Sequence, residues 1–293
     1  MKLETALSAR WRGVLRRVGS DVLVDVDTGV AVLTLNRPEH LNAYTADMGA
    51  LLSRAYRDCD EDDEVRAIVV TGADRAFCAG ADFSGRASPF DAPTDATVFS
   101  ASPIDPAAFE LRKPVIAAVN GHAIGIGLTI ALQADVRIVA DDAKYGVVQV
   151  RRGVIPDCMS HWTLAHLTNL GVAAEVLLTG RTFGGAEAVA LGIANEALPA
   201  AQVLDHALAM ARDIVTNVAP MSAALCKRLL WDSAINGYTP RQVASLETQL
   251  HHRVMGTDDA REGVAAFLDR RSPRFNSRLS ADWTPLPEPE PEP

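Results

Sequence analysis

The chain has 293 residues and a formal net charge of −9, with 28 Lys and Arg against 37 Asp and Glu. This length suits one large domain or two modest ones, and the negative balance argues against a general nucleic-acid binder. The four cysteines show neither CxxC pairing nor metal-ligand spacing, so we expect free thiols in a reducing, cytoplasmic compartment. No apolar run approaches the ~20 residues that a membrane-spanning helix needs, so we expect no membrane partner.

The two ends of the chain are unlike its middle. Residues 1–20 carry four arginines against one glutamate and lack the apolar stretch of a secretory signal. We expect a basic, flexible leader there, and an organelle presequence is the alternative. Residues 276–293 end in a Pro/Glu repeat, which cannot bury a core, so we expect a solvated tail.

Hydrophobic patterns and turn residues predict strands and a helix in the first half. Residues 21–27 and 30–36 flank a turn at Thr28-Gly29 and predict a β-hairpin. Helical spacing predicts a helix over residues 45–60, with Thr45 as its cap. Buried strands are predicted at residues 67–70, 115–119, 136–139 and 144–150.

Two stretches rich in glycine and alanine follow buried strands. In residues 76–83, AFCAGADF, the small residues let the main chain approach a ligand closely. In residues 115–127, VIAAVNGHAIGIG, a strand breaks at glycines and opens a helix, which leaves unpaired N–H groups at a positive helix end. Such a place holds an anion or a developing oxyanion, although a turn without a ligand has the same pattern.

The second half of the chain becomes helical. A turn at residues 153–157 is expected to open a helix over residues 158–170. Further helices are predicted at residues 185–191, 201–217, 222–235, 241–255 and 261–269. Repeated β-β-α units therefore occupy the first two thirds, and a helical region occupies the last third.

Seven stretches, in order, resemble the crotonase (enoyl-CoA hydratase/isomerase) superfamily. They are residues 35–43 (LNRPEHLNA), 69–83, 113–128, 134–146, 151–157 (RRGVIPD), 177–198 and 262–275. The resemblance implies an α/β fold: a ββα spiral core at 21–200 that binds acyl-CoA, and a C-terminal helical trimerisation region at 201–275. It also implies a homotrimer or hexamer, an acyl-CoA thioester substrate and no separate cofactor, because coenzyme A is part of the substrate.

The resemblance also implies how the thioester is held. The family polarises the thioester carbonyl with two backbone N–H groups, which fall on Ala81 and Ile126. Typical hydratases carry two glutamates that hold the attacking water, and those positions fall on Thr129 and Gln149. Neither residue is a carboxylate base, so this sequence departs from the two-glutamate route of hydration.

One acidic position of the family is kept. Asp157 matches the place where enoyl-CoA isomerases carry a single catalytic Asp or Glu, which moves a proton from C2 to C4. The alternative is that Asp157 only caps the predicted helix. We expect isomerisation; a hydratase with altered residues, another crotonase chemistry such as thioester hydrolysis, and a non-catalytic acyl-CoA binder are the alternatives.

A second set of residues is expected to bind substrate. It comprises Ala43, Ala79, Asp82, Phe83, Gly125, Thr129, Gln149, His161, Phe267 and Arg270. Asp82 is expected to fix the loop that carries the first amide. His161 lies one helical turn after Asp157 and either orients it or is an ordinary helix histidine. Arg270 either meets the CoA phosphates or ends a helix in solvent.

The long polar stretch at residues 84–105, broken by prolines, is expected to shape the acyl pocket. The histidines show no metal-ligand spacing, so no metal site is predicted.

Overall fold

A computed structural model of the chain describes residues 14–17, 19–84 and 100–289. Most of the expected leader, most of the expected pocket loop and the last four residues of the expected tail lie outside these ranges. No helix within them is long and apolar enough to cross a bilayer.

Two sheets and a series of helices make up the described part. The strands are β1 (Val14–Arg17), β2 (Val22–Asp27), β3 (Val30–Leu35), β4 (Ala67–Gly72), β5 (Ala76–Cys78), β6 (Val115–Val119), β7 (His122–Ile124), β8 (Val136–Ala140), β9 (Tyr145–Gly146) and β10 (Glu196–Leu198). The helices are α1 (Ala46–Glu61), α2 (Ile126–Ala131), α3 (Ser160–Leu167), α4 (Leu170–Thr179), α5 (Gly185–Ala190), α6 (Ala200–Asn217), α7 (Pro220–Asn236), α8 (Pro240–Val254), α9 (Asp258–Asp269) and α10 (Leu279–Asp282). Single turns of 3₁₀ helix lie at Pro38–His40, Ala108–Glu110 and Gln149–Arg152.

The large sheet has the strand order β1-β2-β3-β4-β6-β8-β10, and the small sheet has the order β5-β7-β9. The strands β4, β6 and β8 of the large sheet are each followed directly by a strand of the small sheet. The strands from β3 onward in the large sheet, and all three of the small sheet, are parallel. This alternation is the ββα spiral, so the predicted α/β class is confirmed.

Burial explains why the central strands could be recognised. Every residue of β3, β4 and β6 is buried, as expected for parallel strands covered on both faces. Helix α6 packs against β4, β6 and β8 and buries Val203, Ala207, Leu208 and Ala211. The first helix after residue 200 therefore belongs to the layer that covers the sheet.

The predicted cap of α1 is confirmed. The hydroxyl oxygen of Thr45 accepts a hydrogen bond from the backbone N–H of Met48 at 3.1 Å. The apolar residues of the predicted helical face, Met48, Leu52 and Tyr56, are buried.

Some elements differ from the sequence prediction. The turn at Asn120-Gly121 leads into a second strand, β7, where the glycine pattern indicated only a turn. The strand expected at residues 144–150 is limited to β9 and then becomes a 3₁₀ turn. The helix expected at residues 158–170 is split at Asn169, whose side chain caps α4. These short elements depend on pairing and capping contacts that an apolar pattern does not encode.

Both ends of the described chain carry structure where none was expected. Residues 14–17 form the edge strand β1, which pairs antiparallel with β2 and so differs from a flexible leader. Residues 279–282 form α10, and Leu279 is buried against Met221, Leu225 and Leu250. Leu279, with hydrogen bonds from Ser280 to Asp63 and from Ser277 to Asp259, anchors this part of the expected tail.

A buried ion pair joins the C-terminal helices to the core. The Lys227 ammonium on α7 lies 2.8 Å from the Asp135 carboxylate and also donates to the backbone oxygens of Ala108 and Lys113, each at 2.8 Å. Asp135 in turn accepts from the Trp231 indole N–H at 2.7 Å. Every donor of this buried ammonium therefore has an acceptor.

We predict that Lys227→Met destabilises the fold by about 3 kcal/mol, because the substitution leaves the Asp135 carboxylate, whose side chain is 19% exposed, without its cation and leaves the Ala108 and Lys113 oxygens without a donor. The free energy of unfolding in guanidinium chloride measures this. The matched control is Lys144→Met at an exposed lysine, which should change stability by less than about 0.5 kcal/mol. If the two substitutions changed the free energy of unfolding equally, the ion pair of Lys227 and Asp135 would contribute no more to stability than an exposed lysine does.

Candidate active site

The two glycine-containing stretches meet at one edge of the small sheet. Strands β5 and β7 run parallel, with Cys78 paired to Ala123. The carboxyl ends of neighbouring parallel strands lie side by side, so the residues that follow each strand are brought together. Ala81 follows β5, and Ile126 follows β7.

The backbone groups around Ala81 are hydrogen-bonded to one another, and none of these bonds uses the Ala81 N–H. The N–H of Tyr44 donates to the Gly80 oxygen at 2.7 Å, and the N–H of Asp82 donates to the Tyr44 oxygen at 2.9 Å. Ala79 donates to the Leu41 oxygen. Among the described residues the Ala81 N–H has no acceptor, so this amide is available to a ligand.

The Ile126 N–H is available for a different reason. Ile126 is the first residue of α2, and the first amides of a helix have no acceptor within it. The preceding Gly125 has φ 57°, a conformation that strongly favours glycine. The Ile126 side chain is buried in the core, and its N–H donates as well as that of a glycine would.

Close packing at Gly127 keeps the two amides near each other. A Cβ atom on Gly127 would lie 2.2 Å from the Cys78 backbone oxygen, so the first turn of α2 touches the backbone of β5. Only a residue without a side chain fits at this contact. The positions of Ala81 and Ile126 are therefore coupled through the backbone itself.

Arg37 and Asp82 hold the loop at residues 79–83. The Arg37 guanidinium donates to the Asp82 carboxylate at 2.8 Å and to the Ala43 backbone oxygen at 2.6 Å. Hydrogen bonds from Ser84 and from Arg37 hold the pKa of the Asp82 carboxyl well below its usual range. A charged Asp82 thus anchors the loop that carries the Ala81 amide. The Ala43 oxygen accepts a hydrogen bond from the same Arg37 guanidinium and so helps to fix its position.

The buried side chain of Asn42 adds a second anchor that the sequence analysis missed. Its amide nitrogen donates to the backbone oxygens of Ala73 and Ala76, and its oxygen accepts from the Arg37 N–H at 2.8 Å. Asn42 has φ 55°, a conformation that asparagine tolerates better than most residues. The signal was present in the LNRPEHLNA stretch, but the two backbone oxygens that the Asn42 amide binds lie more than 30 residues away in the chain.

Asp157 contacts the first turn of α2 through Thr129, three residues after Ile126. The Thr129 hydroxyl, on α2, donates to Oδ1 of Asp157 at 2.5 Å, and the Gln149 amide donates to the same oxygen at 3.2 Å. The Gln149 amide also lies beside Gly125: a Cβ atom added to Gly125 would be 3.7 Å from the Gln149 amide nitrogen. The residues at the two expected glutamate positions therefore both contact the one carboxylate.

The alternative that Asp157 only caps the following helix is wrong. Cys158 and Met159 both have positive φ angles, 49° and 58°, and α3 begins only at Ser160. These conformations turn the carboxylate away from the helix end and toward Thr129. What Asp157 supplies to the helix is its backbone oxygen, which accepts from the Ser160 N–H.

Burial raises the pKa of the Asp157 carboxyl above its ordinary value. The hydrogen bonds from Thr129 and Gln149 lower this pKa, but by less than burial raises it. A half-buried carboxyl of this kind is a better proton acceptor than an exposed aspartate.

The titratable groups that face Asp157 are neutral thiols and a phenol. They come from three segments: Cys158 beside it, Cys78 on β5 and Tyr44 ahead of α1. Burial raises the pKa of all three, that of Cys78 to about 11. Asp157 is therefore the one carboxyl group among these four side chains.

The other residues that were expected to bind substrate are more exposed than Asp157. Phe83 is about half exposed at the end of the anchored loop. His161 is exposed on α3, and among the described contacts it makes no hydrogen bond to Asp157. Phe267 is 82% exposed on α9, and Arg270 ends that helix with φ 54°. Substrate binding by these residues stays a prediction.

Comparisons with known proteins identify the family. Residues 25–278 match the sequence model of the Enoyl-CoA hydratase/isomerase family. The crystal structure of a probable enoyl-CoA hydratase/isomerase from Mycobacterium abscessus is 53% identical with a TM-score of 0.85, and the match covers 90% of this chain and 100% of that one. The chain belongs to the enoyl-CoA hydratase/isomerase (crotonase) family, and the fold is the crotonase fold.

Curated relatives carry both activity names. A probable enoyl-CoA hydratase of Mycobacterium tuberculosis is 35% identical over 260 residues, which is 88% of this chain and 98% of the relative. A 1,2-epoxyphenylacetyl-CoA isomerase of Escherichia coli is 34% identical over 267 residues, again 88% of this chain and 98% of the relative. The family is therefore established, and the reaction within it depends on the side chains.

We predict that Gly127→Ala lowers the turnover of enoyl-CoA by about 10²–10³-fold, because its Cβ would push α2 away from Cys78 and displace one amide donor. The control is Gly263→Ala, another helical glycine, where a Cβ would meet Phe275 at an ordinary 3.6 Å. Steady-state rates and unfolding midpoints of both variants test this. Full activity in Gly127→Ala would mean that the contact does not position the site.

Proposed function

We propose that this protein isomerises enoyl-CoA thioesters, with Asp157 as the single base and the Ala81 and Ile126 N–H groups as oxyanion donors. The observation that carries the proposal is the convergence of Thr129 and Gln149 on Asp157. The two positions where hydratases hold water through glutamates are neutral here, and both side chains are hydrogen-bonded to the remaining carboxylate. One base is what a proton shift needs.

The proposed reaction moves one proton and consumes nothing else. Asp157 removes a proton from C2 of a 3-enoyl thioester, and the electron pair passes into a dienolate whose oxygen lies on the Ala81 and Ile126 amides. The protonated Asp157 then returns the proton to C4, which leaves the double bond between C2 and C3. Each preorganised amide contributes about 3–4 kcal/mol to such a transition state, and the base contributes roughly 10²–10⁴-fold.

Hydration of 2-enoyl-CoA is the second candidate, because relatives such as that of Mycobacterium tuberculosis are named hydratases. In that reaction Asp157 alone would have to activate water and return its proton. The neutral side chains at Thr129 and Gln149 favour isomerisation over this route. The Escherichia coli relative is named for the isomerisation of 1,2-epoxyphenylacetyl-CoA, an epoxide, so its name does not choose between the two reactions.

We predict that the pure protein converts 3-enoyl-CoA to 2-enoyl-CoA, and that Asp157→Asn lowers this rate by about 10²–10⁴-fold because the amide cannot accept the proton. Absorbance of the conjugated thioester and product mass are the measurements. Asp142→Asn, at an exposed carboxylate, is the matched control and should keep the wild-type rate.

The outcomes separate the candidates. A product heavier by one water, formed from 2-enoyl-CoA, would replace isomerisation with hydration. Hydrolysis to free coenzyme A would indicate thioester cleavage. Binding of both acyl-CoAs without turnover would indicate a binding protein.

We also propose that the chain assembles as a homotrimer or a hexamer. Large apolar side chains of the C-terminal helices are exposed in the single chain, among them Leu230, Met255, Val264 and Leu268. Monomers rarely leave such a set in water, and exposed apolar surface marks contact sites.

Sedimentation equilibrium is expected to give three or six times the chain mass of 31.3 kDa. A Val264→Glu, Leu268→Glu double variant should shift the distribution toward monomer, because it places two charges in the contact. A monomeric wild-type protein at micromolar concentration would contradict the proposal.

A further inference from the structure

We propose that Thr129 and Gln149 are positioning residues that select Oδ2 of Asp157 as the atom that carries the proton. This inference rests on the proposed function, since it assumes that Asp157 is the base. Both side chains donate to Oδ1, and Oδ2 receives neither of these donors. The two oxygens of the carboxylate are thereby made unequal toward these two donors, beside the hydrogen bonds that the carboxylate makes with its own backbone N–H and with the Cys158 thiol.

The Thr129 side chain has little freedom to do anything else. It is fully buried on α2, and its hydroxyl lies 2.5 Å from Oδ1 of Asp157 and 3.2 Å from the Ile126 backbone oxygen. A hydroxyl has one proton, and the charged acceptor at the shorter distance takes it. Thr129 thus links the base to the residue whose N–H is one of the oxyanion donors.

The orientation of the Gln149 amide follows from its surroundings. Gln149 is 6% exposed, its nitrogen faces Oδ1 of Asp157, and its own oxygen is buried without a partner among the described residues. Turning the amide over would place that oxygen against the carboxylate, which is repulsive. The structure therefore leaves one acceptor unsatisfied in order to keep a donor on Asp157.

Two donors on Oδ1 fit both protonation states of the base. When Oδ2 takes the proton, Oδ1 becomes a carbonyl-type oxygen and still accepts from Thr129 and Gln149. Protonation at Oδ1 would instead place a third hydrogen beside the two donors. The site therefore needs no rearrangement as the proton passes from C2 to Oδ2 and on to C4, which is the condition for preorganised catalysis.

The same two hydrogen bonds favour the carboxylate over the acid. Removing either donor should raise the pKa of Asp157 and move the acid limb of kcat to higher pH, because activity needs the ionised base. The titratable groups that face Asp157, namely Cys158, Cys78 and Tyr44, have pKa values raised by burial and do not titrate in that range. A shift of the acid limb is therefore assignable to Asp157.

The test compares pH profiles of kcat for the wild type, Thr129→Val and Gln149→Leu. We expect each substitution to move the acid limb upward by about one pH unit, and to lower kcat about tenfold near neutral pH. Thr129→Ser keeps the hydroxyl and should restore the wild-type limb.

Thr163→Val is the matched control for a buried threonine. Thr163 lies on α3, is fully buried and contacts the Met159 backbone oxygen rather than Asp157. Its substitution should leave the limb in place. A general loosening of the fold would lower the rates of Thr129→Val and Thr163→Val alike without moving either limb.

A second measurement does not depend on turnover. Titration of the Asp157 carboxyl carbon by NMR, assigned by its loss in Asp157→Asn, should show a higher pKa in Thr129→Val and Gln149→Leu than in the wild type. An unchanged pKa and an unmoved acid limb, in an enzyme that needs Asp157, would overturn the positioning roles and leave isomerisation standing. Full activity in Asp157→Asn would overturn the proposed function, whatever the NMR titration shows.

Discussion

The contact between the backbone of β5 and the first turn of α2 is the constraint on which the site depends. Gly127 has no side chain, so the helix begins directly against the Cys78 oxygen. Parallel pairing of β5 and β7 brings the two following loops to one edge, and this contact fixes their spacing. Two N–H groups from distant parts of the chain are thereby aimed from a rigid scaffold rather than from mobile side chains.

The chemistry divides between main chain and side chains. In the proposed reaction the donors at Ala81 and Ile126 are backbone N–H groups, whose direction depends on the backbone conformation and not on the side chain. An isoleucine can therefore stand at the second position. In the proposed reaction the side-chain part falls to Thr129, Gln149 and Asp157, where two neutral side chains donate to one half-buried carboxylate. The proposal therefore assigns the choice of reaction to three positions of a fold that is common to many reactions.

The sequence predicted those features that depend on neighbours in the chain. Continuous β-branched runs identified β3, β4 and β6, because buried parallel strands need no polar face. Thr45 identified the start of α1, because a cap acts over three residues. The glycines at 125 and 127 marked the helix that begins at Ile126.

Features that depend on distant partners were not visible in the sequence. The role of Asn42 needs acceptors that follow β4, and the anchoring of Asp82 by Arg37 spans 45 residues. From the sequence, Asp157 before a predicted helix could be a base or a cap, and the left-handed conformations of Cys158 and Met159 turn its carboxylate toward Thr129. Local pattern gives an element its type, and tertiary contacts decide where its polar groups point.

The buried Lys227 ammonium also bears on how the molecule comes apart. Its acceptors lie on two stretches of the core, around Ala108 and Lys113 and at Asp135, so α7 cannot leave without exposing a charge pair and its acceptors together. The C-terminal helices are in this respect not an appendage that frays independently. We therefore expect α7 and the core segments that accept from Lys227 to open together in one step of local unfolding.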